Sequence, residues 1–228
     1  MWKVRDLARS AMALTLVPVV AGAQLERQFV FTPYVGLYAP TNNVATLGTS
    51  AGGTAITASM KHKSSVALGA TASYWFTGHA GFEVGGAYAY SDAKGWLDIG
   101  GTGVSTIGDN ARMVFGTAKF MVSLMQLTND TQLRFGIGPA VINRGGAAYK
   151  SDLDGKPKGL TNVGAAASLC TRIPLTNLVA IRVRAEDYMY QARLKWESST
   201  DPLENMAFGK KFQHDLLFSA GLQIGFRR

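Results

Sequence analysis

Apolar and polar residues alternate with a period of two along most of the chain, from residue 29 to the C-terminus. Successive side chains of an extended strand point to opposite faces, so this period predicts strands with one apolar face each. Eight such segments are legible, at about 29–39, 65–76, 80–91, 111–125, 131–143, 160–173, 178–195 and 212–226. In the first, Phe29, Phe31, Val35 and Leu37 share a face; in the seventh, Val179, Ile181, Val183, Ala185 and Met189 do. Thr77-Gly78-His79, Thr128-Asn129-Asp130 and Pro174-Leu175-Thr176-Asn177 supply turn and breaker chemistry between segments. The connections alternate between three short ones and four long stretches rich in Gly, Asn, Ser, Asp and Lys. An up-and-down antiparallel barrel with both termini on one side produces this sorting, with short turns at one end and long, mobile loops at the other.

The second face decides the solvent. It carries Glu83, Lys119, Arg134, Arg172, Arg182, Arg184, Glu186 and Asp215, together with hydroxyls and glycines such as Thr71, Ser168, Gly69 and Gly136. A soluble barrel turns such a face to water, whereas a membrane barrel turns it to the lumen and shows the apolar face to lipid. Glycine favours the second arrangement. It has no value on a solvated strand face, but a narrow interior needs small residues beside large ones. Aromatic residues also cluster near segment ends on the apolar face, with Tyr74, Phe76 and Phe82 near a short turn and Tyr88 and Tyr90 near a long connection. That is girdle placement. Slipping the seventh segment by one residue would turn Arg182, Arg184 and Glu186 to lipid, at a cost on the order of 5 kcal/mol or more. The register is therefore strongly specified. In the lumen the three acidic residues are the available partners for the five basic ones, and a salt-bridge network or internal water is expected.

Composition agrees. Charged residues make up only 17% of the 228 residues, and 26 are Gly. Mean hydropathy is +0.06, as alternation gives when half of each strand avoids lipid. Residues 1–23 read as a signal peptide, with Lys3, Arg5 and Arg9 before an apolar run at 11–20 and the small-x-small site Ala21-Gly22-Ala23. Removing them lowers the formal net charge of +8 by two. Residues 24–228 then form a single barrel domain. Export implies an oxidising compartment, yet Cys170 is the only cysteine, so the fold stands without disulfides.

The first segment, Phe31-Thr32-Pro33-Tyr34-Val35-Gly36-Leu37-Tyr38, and the last, residues 216–226, resemble the eight-stranded outer-membrane β-barrel proteins of Gram-negative bacteria, the group that includes OmpA, OmpX and OmpW types. The resemblance covers the whole chain after the signal peptide. It implies an all-β, eight-stranded antiparallel transmembrane barrel in the outer membrane, with three short periplasmic turns and four long outer loops. It also implies contact with outer-membrane lipid and lipopolysaccharide, handling by periplasmic chaperones, and insertion by the barrel assembly machinery. In the family an alternating closing strand ending in an aromatic is similar to an assembly signal; Leu222, Ile224 and Phe226 match it, with Arg227 and Arg228 following.

Candidate chemistry is thin. His62, His79 and His214 fall in a loop, a short turn and a strand start, with His79 on the opposite side of the membrane from the others, which argues against a three-His metal site. Asp152-Leu153-Asp154-Gly155 lacks the further ligands of a calcium loop. Gly100-Gly101-Thr102-Gly103 opens no helix and makes no phosphate cradle. Cys170 falls on the lumen face as a small filler. No cofactor, metal or nucleic acid is expected. The reading is a non-enzymatic barrel with a structural or surface-interaction role, closed or narrowly permeable, the ligand of its outer loops unspecified. A small passive channel for ions or solutes, a lipid A-modifying enzyme and a soluble secreted barrel remain as alternatives.

Overall fold

A computed structural model describes residues 28–51, 53–105, 109–127, 131–149, 155–192, 194–198 and 210–227. The expected signal peptide, the Thr128-Asn129-Asp130 turn and Asp152 to Asp154 lie outside the described residues. The strands are β1 (Gln28–Pro40), β2 (Ala45–Ala51), β3 (Thr54–His62), β4 (Ser65–Trp75), β5 (Ala80–Ile99), β6 (Thr102–Ser105), β7 (Asp109–Gln126), β8 (Gln132–Gly145), β9 (Gly155–Lys158), β10 (Thr161–Pro174), β11 (Val179–Ala192), β12 (Lys195–Ser198) and β13 (Lys211–Arg227). Eight of them, in the order β1, β4, β5, β7, β8, β10, β11, β13, form a closed antiparallel ring, because β5 also pairs with β7 and β1 with β13. Closure leaves no edge, which is what allows a sheet to sit in lipid.

The faces follow the alternation. Phe31, Val35 and Leu37 of β1, Val66 and Leu68 of β4 and Val183 of β11 are exposed, while Thr32, Tyr34 and Tyr38 of β1 and Arg182 and Arg184 of β11 are buried. The outward side chains are apolar and the inward ones mixed, the inverse of a soluble barrel. At the short-turn end Phe76, Phe82 and Phe120 pack with ring centroids 5.4–6.3 Å apart, and Phe29 meets Phe226 at 6.1 Å across the β1–β13 seam. Tyr88 and Tyr90 mark the other end of the band. The ladder is interrupted beside two prolines, since Pro33 has no partner on β13 and Pro139 none on β7, as expected where an N–H is missing.

The long connections differ from the expectation of mobile loops. The first is a hairpin, β2–β3, and β3 continues the wall by pairing with the outer half of β5. Gly100 and Gly101, both at positive φ, turn β5 into β6. In the third and fourth connections β9 pairs with β12. These segments alternate too weakly to be read from the sequence, because beyond the membrane neither face of a strand needs to be apolar.

Candidate functional site

The lumen is filled in layers. At the short-turn end Val30, Trp75, Met121 and Cys170 are buried together. The Arg134 guanidinium lies 4.1 Å from the Trp75 ring centroid and donates to Gln132 Oε1 at 2.9 Å. Arg172, half-buried at the same end of β10, lies opposite Arg182 and Gln132 in register.

The next layer is ionic. Glu83, Lys119, Arg182, Arg184 and Glu186 all have buried side chains. Lys119 reaches Glu83 Oε1 at 3.4 Å and also pairs with Glu186. Arg182 pairs with Glu83, and its Nη2 lies 3.2 Å from Cys170 Sγ. Arg184 is 3.3 Å from Glu83 and 3.4 Å from Glu186, with its guanidinium 4.8 Å from the Tyr34 ring centroid. Ser73 donates to Glu83 at 2.9 Å. Three cations around two carboxylates leave this layer positive by one. Such charges are tolerable away from water only because each has a partner.

Outward of it the lumen becomes aromatic. Phe115 and Tyr188 meet across it with ring centroids 4.4 Å apart and planes tilted by 38°, and Tyr38 meets Phe115 at 5.6 Å. Met113, Ile142 and Leu217 are fully buried beside them. Glycine on the wall makes room: a Cβ on Gly69 would lie 2.4 Å from the Tyr34 ring, and one on Gly136 would lie 2.3 Å from Met121 Sδ.

A second polar layer lies above. Asp215 stands there, apart from the Glu83 cluster, accepting a hydrogen bond from Tyr190. Arg144, buried to 1% exposure, donates to Asn162 Oδ1 at 2.5 Å and lies 4.9 Å from the Tyr190 ring centroid. Beyond the girdle, a single 3-10 turn at Ala147–Tyr149 places Tyr149 against His62, with rings stacked at 5.8 Å and a hydrogen bond between them. His62 is thus a buried residue at the end of β3 rather than a loop residue. Burial, reinforced by the Arg144 charge, pushes its pKa down to about 3.

The sequence pattern alone did not single out Arg144, because it lies just past the apparent end of its segment. Nor did it single out Phe115, Met113 and Ile142, which are apolar on the face expected to be polar. Asp187 interrupts the apolar row between Ala185 and Met189; it faces outward, with Oδ2 2.9 Å from Nδ1 of His214. Leu222 and Phe226 are exposed on the lipid-facing side of the closing strand, and Ile224 shares their face. Among the described residues no three His, Cys, Asp or Glu side chains are grouped to hold a metal ion.

No protein-family model matches the sequence, and no curated protein matches it. Solved structures do. The outer membrane protein OprG from Pseudomonas aeruginosa superposes with a TM-score of 0.61 at 14% identity, over 90% of this chain and 99% of that one. AlkL, an outer membrane protein solved in lipid bilayers, gives 0.62 at 11%, over 93% and 96%. Neisserial surface protein A gives 0.51 at 11%, over 90% and 100%. At these identities the likeness is one of fold, and it extends over nearly the whole of each partner. The chain has the fold of the eight-stranded outer-membrane β-barrel proteins.

Proposed function

We propose that the chain is an integral outer-membrane barrel, closed to ions and solutes, whose work lies in stabilising the membrane and presenting its outer hairpins at the cell surface. The carrying observation is the stack of contacts that cross the lumen: Arg182 to Glu83, Lys119 to Glu186, and Phe115 to Tyr188. A conducting lumen needs a continuous aqueous path; here an ionic layer is followed by an aromatic one. The apolar outer face and the girdles support membrane residence. Residues 1–23 would supply export, with periplasmic chaperones holding the unfolded chain, and Leu222, Ile224 and Phe226 would present the closing strand to the assembly machinery.

Planar-bilayer recording of the refolded full chain tests the closed lumen. No unitary steps are expected. Steady steps that change on charge reversal at Arg182 or Arg184 would overturn it. Membrane placement is checked by detergent dependence and heat-modifiable gel migration; recovery from the soluble periplasm without detergent would remove it.

A further inference from the structure

Beyond the outer girdle the lipid-side wall turns basic. Along β5 the outward positions run Tyr88, Tyr90, Asp92, Lys94, Trp96. Lys61 of β3 lies directly opposite Lys94 in the antiparallel register, and both are exposed. Like charges directly opposite on one face destabilise a strand pair, so this pairing has a cost within the protein alone. Lys63, two residues nearer the membrane, is neutralised by Asp92 at 2.9 Å. Arg112 of β7 lies opposite Tyr90 and is exposed on the same face. Asp98, the next acidic group along β5, accepts the Gly101 N–H in its own turn, and Asp109 of β7 lies opposite Ala93, whose side is buried rather than outward. Lys61, Lys94 and Arg112 therefore stand without an ion pair among the described residues. A cleft of about 690 Å³, lined by Ser59, Lys61, Lys63, Lys94 and Trp96, opens at this point.

The height of the cluster is informative. A strand tilted by about 40° climbs roughly 2.5 Å along the barrel axis per residue. Lys94, four residues past Tyr90, stands about 10 Å beyond the girdle on that scale, and the lysine stems can reach back toward it. The headgroup region begins at the girdle and is roughly 5–8 Å deep on each side. The cations face sideways, continuous with the lipid-facing wall, and Trp96 borders them.

We propose that this wall of β3, β5 and β7 is a binding site for the phosphate groups of an outer-leaflet phosphoglycolipid of the lipopolysaccharide type. Lys61 and Lys94 hold one phosphate between them, and Arg112, level with Tyr90, engages the same lipid nearer the girdle. The anion removes the repulsion between the opposed lysines, so its binding also fastens the β2–β3 hairpin to the wall. The site rests on the long-connection end lying at the cell surface and is independent of whether the lumen conducts.

The test uses the full chain refolded in zwitterionic detergent, with folding of every variant verified by heat-modifiable migration. Binding of lipopolysaccharide is compared with that of the same lipid after phosphatase treatment. Removing a basic residue near an anionic surface costs about fivefold in affinity, so the double variant Lys61→Gln/Lys94→Gln should lose about 25-fold. Arg112→Gln alone should lose about fivefold by the same scale, and gives an independent reading. Lys210→Gln, an exposed lysine outside the cleft, should change nothing. The dephosphorylated lipid should bind the wild type and the double variant equally. Unchanged affinity in the double variant, or an equal loss in Lys210→Gln, would overturn the site. Displacement of the lipid by inorganic phosphate at matched concentration would reassign it as a free-phosphate site.

Discussion

Glu83 on β5 and Arg182 on β11 form a buried ion pair between strands on opposite sides of the eight-stranded ring. In either direction around the barrel three strands separate them. The pair is thus a strut across the lumen, and Lys119–Glu186 is a second one set beside it. Breaking such a pair from one side leaves a charge with no solvent. Glu83→Gln, which strips Lys119, Arg182 and Arg184 of a shared anion, should destabilise the barrel by about 3–5 kcal/mol. The urea midpoint of the refolded protein in detergent measures this. Glu83→Leu combined with Arg182→Met should recover part of the loss, because an apolar pair of similar volume needs no partner while Lys119 and Arg184 keep Glu186.

The aromatic layer makes its own prediction. Phe115→Ala with Tyr188→Ala removes the contact that crosses the outer half of the lumen and should cost more than the about 3–5 kcal/mol of a single buried Phe→Ala change. If the closed lumen depends on this layer, the double variant alone should acquire measurable conductance in planar bilayers while the ionic layer stays intact.

A third prediction concerns space rather than charge. At Gly69 any Cβ meets the Tyr34 ring, and Tyr34 in turn lies under Arg184. Gly69→Val should therefore disturb both the wall and the ionic layer, lowering the fraction of heat-modifiable barrel recovered on refolding. Gly116, whose added Cβ would meet nothing within 4 Å, is the matched control, and Gly116→Ala should refold as the wild type does.

The contact between His62 and Tyr149 should depend on pH, with the direction set by His62. Its folded pKa is depressed to about 3, below the unperturbed value of about 6.5. The undocked form therefore takes up the proton first. The contribution of docking is complete above about pH 6.5 and declines as pH falls toward 3, by at most about 1.4 kcal/mol per pH unit. Amide exchange at Ala147–Tyr149, corrected for its intrinsic pH dependence, should accelerate over that window in the wild type. His62→Gln should flatten the profile.

Asp187 breaks the apolar outward run from Val179 to Met189, and among the described residues His214 is its ion-pair partner. His214→Ala should destabilise the barrel by about 1 kcal/mol, less than an Arg or Lys exposed at mid-bilayer would. Asp187→Leu should be neutral or stabilising in the same urea assay.

The legible part of this molecule is the part in contact with lipid. Val183, Arg184 and Ala185 could be assigned to faces from the sequence because a one-residue slip would put arginine in hydrocarbon, a penalty large enough to mark the pattern itself. Inside the barrel no such penalty operates. Phe115 and Met113 pack in the lumen as comfortably as Lys119 does two turns of the pleat away, so alternation says where the lumen face is and not what fills it. Asp215 shows the same limit: it shares a face with Glu83, yet height along the barrel separates the two into different layers, and height depends on strand tilt and stagger. The outer hairpins were hidden for a third reason. The pairing of 45–51 with 54–60 is built mostly from Thr, Ala, Ser and Gly, with only Leu47, Ile56 and Met60 as larger apolar residues, so its two faces differ little.

Cys170 gives the chain a built-in clock. Its sulfur is buried in the lumen at the short-turn end, beside Arg182, and both become sealed when the ring closes. As the sole thiol of the chain, it is open to a maleimide while the polypeptide is in transit and closed to it once β1 and β13 have zipped together. The moment at which labelling stops reports completion of the barrel, residue-specific and without an engineered tag.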